Sequence, residues 1–204
     1  MLSKLSPSSD VPTQEPASKG ASAGKIIAGV LGTSACAMIA LSLPFVAPGF
    51  RRVCLPFVPC SEAQLSNVLQ FLRGARGPVV DLGSGNGKIV LAAAKQGLRA
   101  EGLELNSVLV WWSRVQALRS GLWSLASFHR KDIFKASLSK YNNVVVFGAE
   151  DFMGVLKDKL EKELAPQTQV IACRFPVPSW SPIDTIGTGI DTVWLYRIPE
   201  SYRP

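Results

Sequence analysis

One short stretch constrains this chain more than any other: Asp81-Leu82-Gly83-Ser84-Gly85-Asn86-Gly87. It begins inside an apolar run, Val79-Val80-Asp81-Leu82, and leads into Ile89 to Gln96, whose apolar residues fall at helical spacing. The order is strand, glycine-rich turn, helix. Glycine reaches positive φ without strain and lets backbone come close to a ligand. The helix that follows adds unpaired N–H groups and a positive dipole end. Ala100 to Leu105 reads as the next strand, and Glu104 near its end is an acid placed to accept both hydroxyls of a ribose. Asp132 follows a third strand, where a side chain can reach an adenine amine.

The spacing narrows the choice of cofactor. A dinucleotide site wants Gly-x-Gly-x-x-Gly, but here the third glycine arrives early, at Gly87, and Lys88 stands in its place. There is no Walker phosphate loop. An acid at Asp81 would repel a pyrophosphate and suit an ammonium group. An adenosine cofactor without phosphates fits these residues.

The rest of the chain alternates in the same way. Ser61 and Gln64 resemble a capping box, and Leu65, Val68, Leu69 and Leu72 then share one helical face. Val108 to Ser120 reads as a helix stopped by Gly121. Ser127 to Arg130, Asn143 to Phe147 and Gln169 to Phe175 read as strands, with an amphipathic helix from Phe152 to Leu164. The tail from Ile186 through Gly189 to Ile198 reads as two strands around a turn. Such alternation predicts an α/β fold: a parallel sheet with helices on both faces.

The front of the chain is different. Residues 1–24 are rich in Ser, Pro, Ala and Lys and read as disordered. Ile26 to Val46 carries no charge and is bounded by Lys25, Arg51 and Arg52. A helix of that length spans about 31 Å, the thickness of a bilayer core. Residues 25–48 are therefore expected to form one transmembrane anchor, ahead of a catalytic domain at 53–198. A cleaved secretory signal fits less well, because its start is usually short and basic. Positive charge flanks both sides of the run, so topology stays open.

Charge and cysteines exclude several functions. The net charge is +7, but basic residues are scattered, with no run longer than Arg51-Arg52 or Arg130-Lys131. That suits an anionic surface and carries no nucleic-acid motif. Cys36, Cys54, Cys60 and Cys173 lack metal spacing, and His129 is the only histidine. Neither a metal nor a structural disulfide is expected.

Beyond the loop, Val53-Cys54-Leu55-Pro56-Phe57-Val58-Pro59, Gly102-Leu103-Glu104-Leu105-Asn106, Ala172-Cys173-Arg174-Phe175-Pro176 and Gly189-Ile190-Asp191-Thr192-Val193-Trp194 form a distinctive set. Together with the loop they resemble one small family. It is the mitochondrial protein-lysine methyltransferases of the ATP synthase c subunit and the adenine nucleotide translocase, the c-subunit enzyme being the nearer. They are class I, seven-strand, Rossmann-like enzymes that use S-adenosylmethionine.

The resemblance implies trimethylation of a lysine in a membrane protein, most of all the ATP synthase c subunit, by a single-pass enzyme of the mitochondrial inner membrane. It implies a cofactor set of Asp81, Gly83, Ser84, Gly85, Gly87, Glu104, Asn106 and Asp132. Phe57, Pro59, Phe175, Pro176 and Trp180 would shape the lysine channel. Glu150 and Asp151 are candidates for a base or orienting carboxylate, or simply favourable acids at a helix start. The chain departs from the family pattern at Asn86, where Asp is usual, at Ser107-Val108, where Pro-Trp is frequent, and near Glu150, where a proline is common. A small-molecule or lipid methyltransferase and a non-catalytic membrane assembly factor stay open beside this reading.

Overall fold

A computed structural model describes residues 59–200. The expected disordered segment, the anchor and Phe57 lie outside the described residues. Within them the chain forms a seven-stranded sheet of order β3-β2-β1-β4-β5-β7-β6. The strands are β1 (Val79–Leu82), β2 (Ala100–Glu104), β3 (Ala126–Arg130), β4 (Asn143–Phe147), β5 (Gln169–Cys173), β6 (Asp184–Ile186) and β7 (Val193–Arg197). β1 to β5 run parallel, and β7 lies antiparallel between β5 and β6. The five parallel strands are what the alternation predicts, the antiparallel β6–β7 pair departs from a wholly parallel sheet, and the total of seven is what the family resemblance implies.

Among the described residues four helices cover the sheet: α1 (Glu62–Leu72), α2 (Lys88–Lys95), α3 (Ser107–Arg119) and α4 (Glu150–Glu163). The first three pack on one face, where Val68, Leu72, Val90, Ala93, Val110 and Ala117 meet Val79, Val145 and Ile171. On the other face α4 presents Phe152, Leu156 and Leu160 to Val80, Val144 and Val170. Each fully buried leucine or valine contributes about 1.5–3 kcal/mol over an exposed one.

Local chemistry sets the helix starts. Ser61 and Gln64 make the expected capping box, with Ser61 Oγ accepting the Gln64 amide at 3.0 Å and Gln64 Oε1 accepting the Ser61 amide at 3.3 Å. Asn106 starts α3 earlier than Val108, because its Oδ1 accepts the amides of Val108 and Leu109. α4 likewise begins before Phe152, at Glu150.

Other boundaries move for backbone reasons. β5 stops at Cys173, short of the expected Phe175, since Arg174 turns into the left-handed region at φ 71°. β2 ends at Glu104 and not Leu105. In the tail, β6 ends at Ile186, where a strand was expected to begin, and a 3-10 turn at Gly189–Asp191 precedes β7.

The chain order reverses at β1, which pairs with β2 on one side and β4 on the other, so that Asp81 lies between Gly102 and Val145. Ligands of open α/β sheets bind at that switch point, outside the carboxyl ends of the strands.

Candidate active site

Asp81 is 2% exposed, and its Oδ1 has no hydrogen-bond partner. Burial, helped by the nearby Glu104 charge, pushes its carboxyl up to about 7. Ser84 Oγ is also buried without a partner. Each such orphan costs about 1–3 kcal/mol until something bonds to it. Asp81 opens the glycine loop and Ser84 sits within it, so a ligand carrying donors, such as the ammonium of an amino acid, would satisfy them.

The loop backbone is shaped for close approach. Gly83, Gly85 and Gly87 have φ of 84°, 51° and 81°. No side chain caps α2, which leaves its first amides available. The loop is also wedged from below: a Cβ on Gly87 would meet the Phe128 ring at 2.7 Å, and one on Gly102 would meet Ser84 Oγ at 2.5 Å.

Glu104 ties the second strand to this loop. Its Oε2 accepts the Gly85 amide at 3.0 Å, and its Oε1 accepts the Asn106 amide at 2.8 Å. Two fixed N–H groups thus orient the carboxylate while leaving lone pairs on both oxygens. From α3, Ser113 Oγ donates to Gly85 O at 3.4 Å and Gln116 Nε2 to Asn86 O at 3.1 Å. The sequence reading misses these two supports. Their signal is present but faint: Ser113 and Gln116 are uncharged polar residues set among the apolar positions of the helix.

Asp81, Gly83, Ser84, Gly85, Gly87 and Glu104 thus share the loop and the end of β2, while two other expected residues make local contacts of their own. Asn106 uses its side chain to cap α3. Asp132 stands just past β3, and its Oδ1 accepts the Phe134 amide at 3.0 Å, a turn that fixes the loop. The set fits an S-adenosylmethionine-like ligand, with an acid for an ammonium, a second acid for hydroxyls and glycines between.

A second wall also escapes the sequence reading. Ser61 Oγ donates to Asp191 Oδ1 at 2.6 Å, Asn67 Nδ2 donates to Asp191 O at 3.1 Å, and Gln64 Nε2 donates to Ile190 O. These bonds stitch the start of α1 to the Gly189–Asp191 turn. Lys88 Nζ donates to Glu62 at 2.8 Å and to Cys60 O at 3.5 Å, which draws the same start toward the loop. Burial, and then the Asp81 charge, push the Cys60 thiol up to about 12, so it is an inert neighbour of the site.

The remaining expected residues are more dispersed. Pro59 and Pro176 are exposed and Phe175 is half-buried. Trp180 donates its indole N–H to Glu161 at 2.8 Å and packs edge-on to Tyr196, which ties its loop to the domain. Glu150 and Asp151 are exposed in the first turn of α4. Among the described residues, no His, Cys, Asp and Glu cluster could hold a metal.

Comparison with known proteins shows the family. A family model described as the ANTKMT methyltransferase domain matches residues 81–184, and one described as the N-terminal domain of the ATP synthase c-subunit lysine N-methyltransferase matches residues 20–51. The mouse ATP synthase c-subunit lysine N-methyltransferase is 50% identical over 88% of this chain and 72% of its own. The chain belongs to the ATP synthase c-subunit lysine N-methyltransferase family. Membership makes it an S-adenosylmethionine-dependent protein-lysine N-methyltransferase. The family member of Caenorhabditis elegans is 45% identical over 87% of this chain and 98% of its own. The mouse adenine nucleotide translocase lysine N-methyltransferase is related at 48% identity, over 76% of this chain and 69% of its own. Among solved structures, an RNA methyltransferase of Salinibacter ruber in complex with S-adenosylhomocysteine superposes with a TM-score of 0.66 at 30% identity, over 70% of this chain and 95% of its own.

Proposed function

We propose that this chain is a mitochondrial, membrane-anchored enzyme that trimethylates a lysine of the ATP synthase c subunit. The observation that carries this reading is the pairing of buried Asp81 with Glu104 around the glycine loop, in a chain 50% identical to the mouse enzyme of that name. The adenine nucleotide translocase is the second substrate to consider, given the relative named for it. The anchor rests on the uncharged run Ile26 to Val46 between basic flanks, and inner-membrane residence follows from where such substrates lie. The domain organisation is then an anchor at 25–48 and a methyltransferase domain at 53–198.

In this reading Asp81 binds the cofactor's ammonium, the Gly83 to Gly87 backbone and Ser84 follow its methionine portion, and Asn106 keeps Glu104 and α3 in place. Glu104 takes the ribose hydroxyls, and Asp132 stands beside adenine. When bound, S-adenosylmethionine supplies a methyl carbon on a sulfonium, the electrophile of the reaction. The chain's own work is alignment and desolvation, worth about 7–11 kcal/mol in favourable cases. Lysine is protonated in water, with a pKa near 10.4. A partly dry channel would lower that value and free the lone pair, and Pro59, Phe175, Pro176 and Trp180 are the described residues proposed to border it. Glu150 and Asp151 open the helix that follows β4, where a carboxylate can orient the amine or take its proton.

A membrane tether raises the effective concentration of enzyme around a membrane substrate. The test is direct. Purified ATP synthase c subunit in lipid vesicles is incubated with the full chain and S-adenosylmethionine, and its peptides are weighed. A trimethylated lysine supports the reading; an unmodified substrate beside active enzyme moves the target elsewhere.

A further inference from the structure

We propose that the outer face of α3 lies against an anionic bilayer surface, an inference that rests on the membrane-anchored reading above. α3 buries Leu109, Val110, Ser113 and Ala117 toward the sheet. Its other side is apolar as well. Val108, Trp111, Trp112, Val115 and Leu118 recur at the spacing of one helical face. Trp111 is 63% exposed, Trp112 46% and Leu118 64%, and Trp123 in the following turn is 68% exposed. Neither adjacent indole faces the core. A helix that buries one apolar stripe and exposes a second has a further surface to cover, and three exposed indoles in one region mark it as a contact surface.

Charge identifies what covers it. From Ser107 to Lys131 the chain carries Arg114, Arg119, Arg130 and Lys131 and not one Asp or Glu. All four cations are exposed. Indoles settle at the headgroup level of a bilayer, and arginine and lysine stems lie along apolar surface while their heads meet anionic headgroups. This is the pattern of an interfacial helix. The uncharged run ends at Val46, and the described domain begins at Pro59. A chain reaches at most about 3.6 Å per residue, so an anchor there keeps the domain within tens of ångströms of the lipid.

The placement has a consequence for the site. α3 starts at Ser107, directly after Asn106 at the carboxyl edge of the sheet, and packs on β2 and β3. With α3 flat on the membrane, the cofactor edge opens along the bilayer surface, where a substrate lysine near the headgroups can enter.

The five tryptophans are Trp111, Trp112, Trp123, Trp180 and Trp194, so tryptophan fluorescence reports on the domain and never on the uncharged run. The full chain is mixed with vesicles of phosphatidylcholine, with or without phosphatidylglycerol, whose acyl chains are brominated. Flotation reads membrane attachment, and fluorescence quenching reads contact of indoles with lipid. We expect the wild-type chain to float and to be quenched, more strongly with phosphatidylglycerol. The Trp111→Gln/Trp112→Gln variant should float, bind S-adenosylhomocysteine normally and lose most of the quenching. Arg119→Gln/Lys131→Gln should lose only the part that depends on phosphatidylglycerol. A wild-type chain that floats with unquenched tryptophan overturns the inference and leaves the anchor standing. A chain that does not float overturns both. A detergent-solubilised dimer that the tryptophan substitutions dissociate, with no quenching in vesicles, overturns the inference in favour of a second copy on this face.

Discussion

Glu104 Oε2 accepts the Gly85 amide at 3.0 Å, and so the acid that ends β2 also holds the glycine loop that follows β1. Binding group and loop shape are coupled through one carboxylate. Glu104→Gln keeps one acceptor oxygen for an N–H group but removes the charge and half the acceptors. We expect its melting temperature to fall by no more than a few degrees, since a partly exposed hydrogen bond is worth about 1 kcal/mol. Cofactor affinity should fall about 10- to 100-fold, the loss of roughly 1.5–3 kcal/mol of charged hydrogen bonding. Calorimetry with S-adenosylhomocysteine reads it; unchanged affinity would remove Glu104 from the ribose site.

Asp81 makes a pH-dependent prediction. Burial raises its carboxyl from 3.8 to about 7. A carboxyl that holds its proton more tightly when folded stabilises the ligand-free fold in acid. That contribution is complete below the unfolded value and is lost as pH rises toward about 7. Asp81→Asn removes the buried charge, so the ligand-free variant should melt several degrees above wild type at pH 8, for about 1–3 kcal/mol, and nearer to it at pH 5. It should also fail to bind cofactor. Equal melting curves at both pH values would mean that Asp81 is not strained by burial.

Gly87 sits at φ 81° with the Phe128 ring 2.7 Å from where a Cβ would stand. Gly87→Ala combines left-handed strain with overpacking, about 2–4 kcal/mol in all. Urea unfolding should show the lower midpoint, and cofactor affinity should drop with it. Gly74, also at positive φ but with open space around it, should tolerate alanine at about 1 kcal/mol.

Ser61 caps α1 and also donates to Asp191 Oδ1 at 2.6 Å. Ser61→Ala should cost about 2.5–4 kcal/mol, the sum of a cap and a charged hydrogen bond. If the cap alone matters, Asp191→Asn will leave stability unchanged; if the stitch matters, it will reproduce part of the loss. A chemical denaturation series on both variants separates the two.

What the sequence makes legible follows from what each feature depends on. Asp81, the glycines and Glu104 are readable because strand, turn and acid lie close in sequence and their chemistry is local. The helix-covered parallel sheet follows from the alternation of elements. The Ser61–Asp191 stitch is not readable, because its partners lie far apart in the chain and neither residue type announces a long-range bond. Arg174 reads as strand because its neighbours are apolar, whereas its backbone is fixed by a bond from its amide to Thr192 O. On α3 the ordinary rule is inverted, with Ser113 and Gln116 turned inward to the loop carbonyls and Trp111 and Trp112 turned outward. Periodicity alone does not say which of two apolar faces meets the sheet.

The measurement that bears most directly on the central claim is methyl transfer from labelled S-adenosylmethionine into mitochondrial membrane protein, with the wild-type chain beside Asp81→Ala. The account predicts label on a lysine of a small membrane protein, lost in the variant. Folded wild-type chain that binds S-adenosylhomocysteine but transfers no more label than the variant would contradict it.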